Sequence, residues 1–164
     1  MTVALTVQTA APEQTEALGR AIGSRLRGGD LVQLIGDLGG GKTTFVSGLA
    51  AGLGCTAEVA SPTFVYVHEY PGPIPLAHID LYRLEPGADL EPLGVSDYLG
   101  GAWVTVIEWA DRAAAGQLPA ADLVARFHAT ESGTRRIEFD APPGRLERIL
   151  SSPAQSTLET PHAN

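Results

Sequence analysis

The segment from Gly36 to Thr43, GDLGGGKT, constrains this chain most, because it fits the phosphate-loop pattern GxxxxGK[ST]. An apolar run at 31–35 precedes it, as expected of a buried central strand. After it, residues 43–53 place apolar side chains at helical spacing and end at Gly54. A glycine-rich turn without a ligand is the alternative, but a strand, loop and helix in this order favour a phosphate-binding unit.

The residue types of this loop suit a phosphate group. Glycines let backbone N–H groups converge on an anion, and the N-terminus of the following helix adds partial positive charge. We expect Lys42, the only lysine in the chain, to reach the β- and γ-phosphates, and the Thr43 hydroxyl to ligate Mg²⁺. The candidate nucleotide-binding residues are those of the whole loop: Gly36, Asp37, Leu38, Gly39, Gly40, Gly41, Lys42, Thr43 and Thr44.

Two acids follow apolar strand-like runs. Hydrolysis needs carboxylates for the metal and a group that orients water, in addition to a phosphate loop. Asp80 follows LAHI and Glu108 follows VTVI, at strand ends where α/β sheets present ligands. Either acid could bind the metal, directly or through water, and the other could polarise the attacking water; alternatively, each caps a helix or faces solvent. Lys42, Asp80 and Glu108 are therefore the candidate catalytic residues.

Each of the other polar or aromatic residues near these motifs has two possible roles. Asp37 could touch water or metal, or be solvated at the loop tip. Arg83 could stabilise phosphate charge or pair with a surface acid. His78 is expected to orient a neighbour or to pack rather than to ligate metal, and Trp109 to be a core or interface aromatic rather than a base-stacking platform.

The composition limits the partners and the compartment. A formal net charge of −8 and a pI near 4.8 argue against direct binding to an RNA or DNA backbone. The only cysteine, Cys55, cannot form an internal disulfide and is expected to pack as a small apolar residue. No apolar run has transmembrane length and the first residues lack a basic start, so we expect a cytoplasmic protein without membrane contact.

The nucleotide base is expected to be adenine. GTPases that read guanine use an [NT]KxD signature. This chain has one lysine, Lys42, and one asparagine, Asn164, so that signature is excluded. ATP is therefore favoured over GTP.

The remaining patterns predict a single α/β domain over residues 1–150 and a disordered tail over 151–164. We expect strands at 2–8, 64–70, 76–80, 103–108, 123–129 and 135–139, helices at 12–27, 110–118 and 144–150, and short helical turns within 83–100. The strands at 64–70 and 76–80 are predicted to form one β-hairpin, and those at 123–129 and 135–139 a second. Because hairpin strands are antiparallel, the sheet is predicted to be mixed. The expected fold is a three-layer phosphate-loop NTPase-like fold with a mixed, mostly parallel sheet and antiparallel hairpins.

Four segments together resemble a known family. They are GDLGGGKTT at 36–44, SPTF at 61–64, HIDLYR at 78–83 and IEWADR at 107–112. In this order and spacing they resemble the TsaE (YjeE) family, which provides the ATPase of bacterial threonylcarbamoyladenosine tRNA modification. The resemblance covers roughly residues 10–115.

The resemblance implies a role for each motif. Thr43 and Glu108 would bind Mg²⁺ beside ATP, with Asp80 as the catalytic acid or as a supporting acid behind the metal. Gly40 stands where the family commonly has alanine, which loosens the loop slightly. Adenine contacts map onto no sharp motif, and Gln14, Thr15, Arg135 and Arg136 are candidates for them.

The resemblance also implies protein partners. TsaD and TsaB transfer threonylcarbamoyl to adenosine 37 of tRNAs that read ANN codons, while the TsaE ATPase resets the complex between turnovers. The acidic pI agrees with contact to tRNA only through these partners. Two alternatives are a small-molecule kinase, which usually needs an arginine-rich lid, and a nucleotide-dependent binding module with negligible turnover.

Overall fold

A computed structural model describes residues 5–36, 39, 41–57 and 66–150, and within them seven strands form one sheet. The strands are β1 (Leu5–Thr9), β2 (Leu31–Gly36), β3 (Val67–Tyr70), β4 (Leu76–Asp80), β5 (Val104–Glu108), β6 (Leu123–Ala129) and β7 (Arg135–Asp140). The α-helices are α1 (Pro12–Gly23), α2 (Lys42–Gly52) and α3 (Pro143–Leu150).

The strand order is β1-β7-β6-β2-β5-β4-β3. The centre is parallel, since β2 pairs with β5 and β6, and β5 pairs with β4. The edges are antiparallel, through the hairpins β3–β4 and β6–β7 and the pairing of β1 with β7. Only β3 and β7 run against the other strands of this sheet, which confirms the predicted mixed, mostly parallel arrangement.

Different layers cover the two faces of the sheet. The α-helices pack on one face, where the core includes Val32, Leu34, Phe45 and Leu49. The segments 81–99 and 109–118, which precede and follow β5 in the chain, cover the other face, and Leu81, Leu90 and Val95 pack there against Leu31 and Ile107. These segments contain short 3₁₀-helices at Glu91–Leu93, Val95–Tyr98 and Ala110–Arg112, so the helical turns expected within 83–100 are confirmed. The third layer is therefore irregular rather than α-helical.

Helices α1 and α2 approach each other through glycines, namely Gly19 and Gly23 on α1 and Gly48 and Gly52 on α2. A Cβ atom added at Gly48 would lie 2.1 Å from the carbonyl oxygen of Glu16, and one at Gly19 would lie 2.3 Å from that of Phe45. Side chains larger than glycine would force the helices apart. This contact places the N-terminus of α1 beside the N-terminus of α2.

Helix α1 is shorter than predicted, since it ends at Gly23 rather than near residue 27. The chain tightens there, because Arg25 N–H donates to Ile22 O at 2.9 Å and Leu26 N–H donates to Gly23 O at 3.2 Å. These bonds span three residues, as in a 3₁₀ turn. Leu26 stays buried, so the apolar pattern continues past the end of the helix.

The helix predicted at 110–118 is wrong beyond its first turn. The 3₁₀-helix Ala110–Arg112 ends at Ala113, whose backbone is extended. Ala113 forms a parallel bridge with Ala88, and Gly87 N–H donates to Arg112 O at 2.9 Å. These long-range backbone contacts replace the hydrogen bonds that would continue a helix.

The other predicted elements that fall on described residues, at 31–35, 43–53, 76–80, 103–108, 123–129, 135–139 and 144–150, match to within one residue at each end. Residues 2–4, the SPTF segment at 61–64, Val65 and the tail 151–164 lie outside the described residues. Cys55 is buried in the core as predicted, and burial raises the pKa of its thiol. None of the helices described is both long and apolar enough to cross a membrane.

Candidate nucleotide-binding site

A cleft of about 310 Å³ lies at the carboxyl ends of the central strands. Five stretches of chain line it: Ala10, Ala11, Pro12 and Thr15; Gly39, Gly41, Lys42, Thr43 and Thr44; Asp80; Glu108 and Trp109; and Gly133 and Arg135. The three candidate catalytic residues, Lys42, Asp80 and Glu108, therefore share one cavity. Its volume falls in the range usual for small-molecule sites.

The start of α2 suits an anion. Gly41 precedes the helix with φ 96°, and Gly39 has φ 79°, a backbone region that disfavours residues with a Cβ. No described side chain caps this helix end, and its first turn carries no acid. The first N–H groups of a helix have no partner within it. This end of α2 thus presents backbone N–H donors and partial positive charge, which suit a phosphate group.

Gly36, the last residue of β2, must be glycine for a steric reason. Its φ is 145°, and an added Cβ would lie 2.5 Å from the carbonyl oxygen of Phe127 on β6. At Gly36 the backbone therefore lies closer to β6 than any residue with a Cβ would allow. The predicted loop residues Asp37, Leu38 and Gly40 lie outside the described residues.

The ammonium group of Lys42 is held inside the cleft. The side chain is buried, at 5% exposure, and Nζ donates to the carbonyl oxygen of Gly36 at 2.5 Å. Nζ also lies 4.1 Å from the centroid of the Trp109 ring, at cation–π distance. Both contacts fix the positive charge next to the α2 N-terminus.

The two acids are neighbours across the sheet, since Asp80 of β4 pairs in register with Glu108 of β5. Glu108 is buried, and its Oε2 lies 2.5 Å from Nε2 of His78. Asp80 is partly buried, and its Oδ1 accepts the backbone N–H of Tyr82 at 2.9 Å. Each carboxylate thus has one oxygen anchored by a neighbouring donor.

The surroundings of Asp80 make its carboxyl group harder to ionise than that of an ordinary aspartate. Partial burial, and then the neighbouring Glu108 charge, raise the pKa of Asp80 above its usual value. The Tyr82 N–H, His78 and Lys42 act in the opposite direction without cancelling the rise. A cation placed between the two acids would relieve this repulsion.

The donor set fits Mg²⁺ bound together with a nucleotide. Among the described residues no group of three or more His, Cys, Asp and Glu side chains could hold a metal by itself. Mg²⁺ usually takes one or two carboxylates and completes its shell with phosphate oxygens and water. The Thr43 hydroxyl and the Glu108 carboxylate line the same cleft and supply protein ligands of that kind.

Trp109 has a place that the sequence did not predict. We expected a core or interface aromatic, and Trp109 does pack against the core on the second face of the sheet. Its ring also lies in the cleft wall beside Lys42 and packs on Tyr82 at a centroid distance of 5.0 Å. Its φ of 59° is the one positive value of a non-glycine residue in the described chain. Such strain is concentrated at functional sites. The sequence feature that could have indicated a place in the site is its position directly after the strand-end acid Glu108.

The weaker candidates divide into two groups. Thr15 and Arg135 line the cleft, and both lie next to Gly41. Gln14, Arg136 and Arg83 are not among its described lining residues. Gln14 Oε1 instead accepts the N–H of Ala10 at 2.6 Å, and Nε of Arg136 lies 3.4 Å from a carboxylate oxygen of Glu138.

Comparison with known proteins agrees over most of the chain. The family described as threonylcarbamoyl adenosine biosynthesis protein TsaE matches residues 9–137. The Bacillus subtilis protein called tRNA threonylcarbamoyladenosine biosynthesis protein TsaE is 40% identical over 143 residues, covering 87% of this chain and 89% of that protein. The Treponema pallidum protein of the same name is 38% identical, covering 76% of this chain and 92% of its own. The crystal structure of Bacillus subtilis YdiB superposes with a TM-score of 0.79 and 34% identity, covering 95% of this chain and 98% of that chain. The chain belongs to the TsaE family.

Proposed function

We propose that this chain is an Mg²⁺-dependent ATPase that acts in tRNA threonylcarbamoyladenosine biosynthesis, as a subunit working with TsaD and TsaB. The names of its relatives support the pathway. The net charge of −8 supports contact with tRNA through the partners rather than directly.

The observation that carries the proposal is the convergence of opposite charges on one cleft. The N-terminus of α2, which no described side chain caps, and the Lys42 ammonium face the acids Asp80 and Glu108 across the same cavity. A triphosphate bound to the amides and to Lys42 brings its γ-phosphate towards the two carboxylates. A divalent cation between the two acids and this anion would offset their mutual repulsion.

Each residue of the cleft then has a defined task. The N–H groups at the start of α2 hold the phosphates, and Lys42 neutralises charge on the β- and γ-oxygens. Thr43 and Glu108 would hold Mg²⁺, which when bound neutralises the phosphate charge and orients the leaving group. Asp80 orients the attacking water and accepts its proton, and its raised pKa makes it a stronger base than an ordinary aspartate.

Phosphate release from ATP tests the proposal, measured for the wild type and for Lys42→Ala, each alone and with TsaB and TsaD. We expect Lys42→Ala to lower turnover by about 10²–10³-fold, the usual cost of removing one donor to a developing charge. EDTA should abolish turnover. Arg145→Ala, at the far end of the sheet, is the matched control and should turn over ATP as the wild type does.

Three outcomes contradict the proposal in different ways. Equal rates for the wild type and Lys42→Ala would remove the enzymatic claim. ADP formation that requires a small-molecule acceptor, which itself becomes phosphorylated, would show a kinase. Capture of TsaD with ATP but not ADP, without hydrolysis even in the complex, would show a binding module.

A further inference from the structure

His78 lies behind the two acids of the cleft. Its ladder partner on β5 is Val106, and Glu108 lies two residues further along the same face of that strand. Such diagonal neighbours are within reach of long side chains. Nε2 of His78 lies 2.5 Å from Oε2 of Glu108, with side-chain exposures of 0% and 4%. His78 itself is not among the described residues that line the cleft.

The contact is not explained by stability alone. A carboxylate oxygen accepts, so Nε2 of His78 carries the hydrogen and donates it. The other ring nitrogen, Nδ1, is buried with no hydrogen-bond partner among the described residues. A buried polar atom without a partner is unfavourable, and the face around it carries Leu76 and Val106, which are apolar. An apolar residue at position 78 would avoid that cost, but it could not hold Glu108.

We infer that His78 is a positioning residue, which fixes the Glu108 carboxylate in the orientation that meets the Mg²⁺ of the bound nucleotide. The inference rests on the proposed function. His78 occupies one lone pair of Oε2 and leaves the remaining lone pairs of the carboxylate for the cation. Hydrogen-bond partners behind a metal ligand set its direction, and their loss typically costs about 10–100-fold in metal affinity.

The two acids differ in how they are anchored. Asp80 is held by the backbone N–H of Tyr82, which no substitution of Tyr82 other than proline removes. Glu108 is held by a side chain, so its anchor can be removed by substitution while Glu108 itself is kept. This makes the role of His78 separable from that of Glu108.

The test compares His78→Gln with His78→Asn. Both side chains are uncharged amides, but the glutamine amide reaches about as far as Nε2 of histidine and the asparagine amide does not. Equilibrium binding of a non-hydrolysable ATP analogue is measured across a range of Mg²⁺ concentrations and in EDTA. For His78→Asn we expect the Mg²⁺ concentration at half-saturation to rise by about 10–100-fold, with metal-free affinity unchanged. His78→Gln should restore most of the Mg²⁺ dependence of the wild type.

His78→Leu provides a second variant should the asparagine variant fold poorly, because it removes the donor and the unpartnered nitrogen together. It should show the same weakened Mg²⁺ response as His78→Asn. Wild-type Mg²⁺ dependence in a folded Asn or Leu variant would overturn the positioning role, even if thermal stability fell. A wild-type protein that binds the analogue without any response to Mg²⁺ would overturn the proposed metal site as well.

Discussion

Acids occur at both ends of the parallel strands, and their surroundings differ. At the amino end, Asp30 receives two hydrogen bonds from the Arg148 guanidinium, at 2.8 and 2.7 Å, and Asp122 receives one from Arg145 at 2.8 Å. At the carboxyl end, Asp80 and Glu108 lie beside each other. One end therefore pairs each acid with an arginine, and the other brings two acids together.

Backbone donors complete the amino-end pairs. Asp30 accepts the N–H of Arg27 at 2.8 Å, and Asp122 accepts that of Leu31 at 2.8 Å. Both arginines belong to α3, so these pairs fasten the last described helix to the start of β2 and β6. Removing one partner of such a pair leaves the other charge without its counter-ion, and the cost is larger the more deeply that charge is buried. The acids at the carboxyl end repel each other and are suited to a cation that arrives with a ligand.

The largest expected effect is the loss of stability in Asp30→Ala. The Arg148 side chain is only 17% exposed, so the substitution leaves a largely buried guanidinium without its carboxylate. We expect the free energy of unfolding to fall by about 3–5 kcal/mol. Urea denaturation measures this value. The double variant Asp30→Ala/Arg148→Ala should recover part of the loss. If the free energy of unfolding of Asp30→Ala fell by less than about 1 kcal/mol, this pair would be no stronger than an ordinary surface pair.

Glu108→Gln should lower ATP turnover much more than stability, whereas the effect expected for Asp30→Ala is on stability. ATP turnover is expected to fall by about 10²–10³-fold, the usual cost of losing one group that stabilises the transition state, because the carboxylate that would hold Mg²⁺ is lost. The free energy of unfolding should not fall comparably, since glutamine keeps an acceptor for His78 and removes a buried charge. Phosphate release and urea denaturation on the same preparation separate the two effects. Retained turnover with a loss of stability like that of Asp30→Ala would erase the contrast between the ends.

The sequence predicted the carboxyl end better than the amino end. The phosphate-loop pattern and the acids Asp80 and Glu108 are local signals, because each lies directly after an apolar strand. The Asp30–Arg148 pair joins residues 118 positions apart, and no local pattern specifies such a contact. The same holds for the close approach of α1 and α2, where the fit of Gly48 against Glu16 O depends on two elements at once.

The remaining errors concern backbone conformations that residue propensities do not predict. The composition of 110–118 favours a helix, but the backbone of Ala113 instead pairs with that of Ala88 in a parallel bridge. The positive φ of Trp109 could not be predicted either, since residue propensities give no reason for a tryptophan in the left-handed region. Position relative to Glu108 was the better guide to Trp109 than residue type.

Asp80→Asn should stabilise the protein at neutral pH, by less than Asp30→Ala destabilises it. The folded-state pKa of Asp80 is raised, so the folded protein holds this proton more tightly than the unfolded chain. Above the folded-state pKa the ionised carboxylate therefore opposes folding, while asparagine does not and can still accept the Tyr82 N–H.

This gain depends on pH in a defined direction. It should be present at neutral pH, diminish as the pH falls through the raised folded-state pKa, and vanish below the ordinary value of 3.8. Thermal unfolding in EDTA without nucleotide, at pH 7 and in acid, checks it. A lower melting temperature for Asp80→Asn at pH 7 would mean that Asp80 is a stabilising acid like Asp30.

The smallest effect is expected for Arg145→Ala, which tests whether arginine pairing at the amino end is uniform. The Arg145 side chain is 50% exposed, against 17% for Arg148, and Asp122 keeps the N–H of Leu31 when Arg145 is removed. The free energy of unfolding should therefore fall by only about 0.2–1 kcal/mol. Solvent and salt screen an exposed pair, so the difference from the wild type should shrink when urea denaturation is repeated in 1 M NaCl. If the free energy of unfolding fell as much as in Asp30→Ala and salt did not change the difference, burial would not explain the strengths of the two pairs. The shared position of both arginines on α3 would then explain them instead.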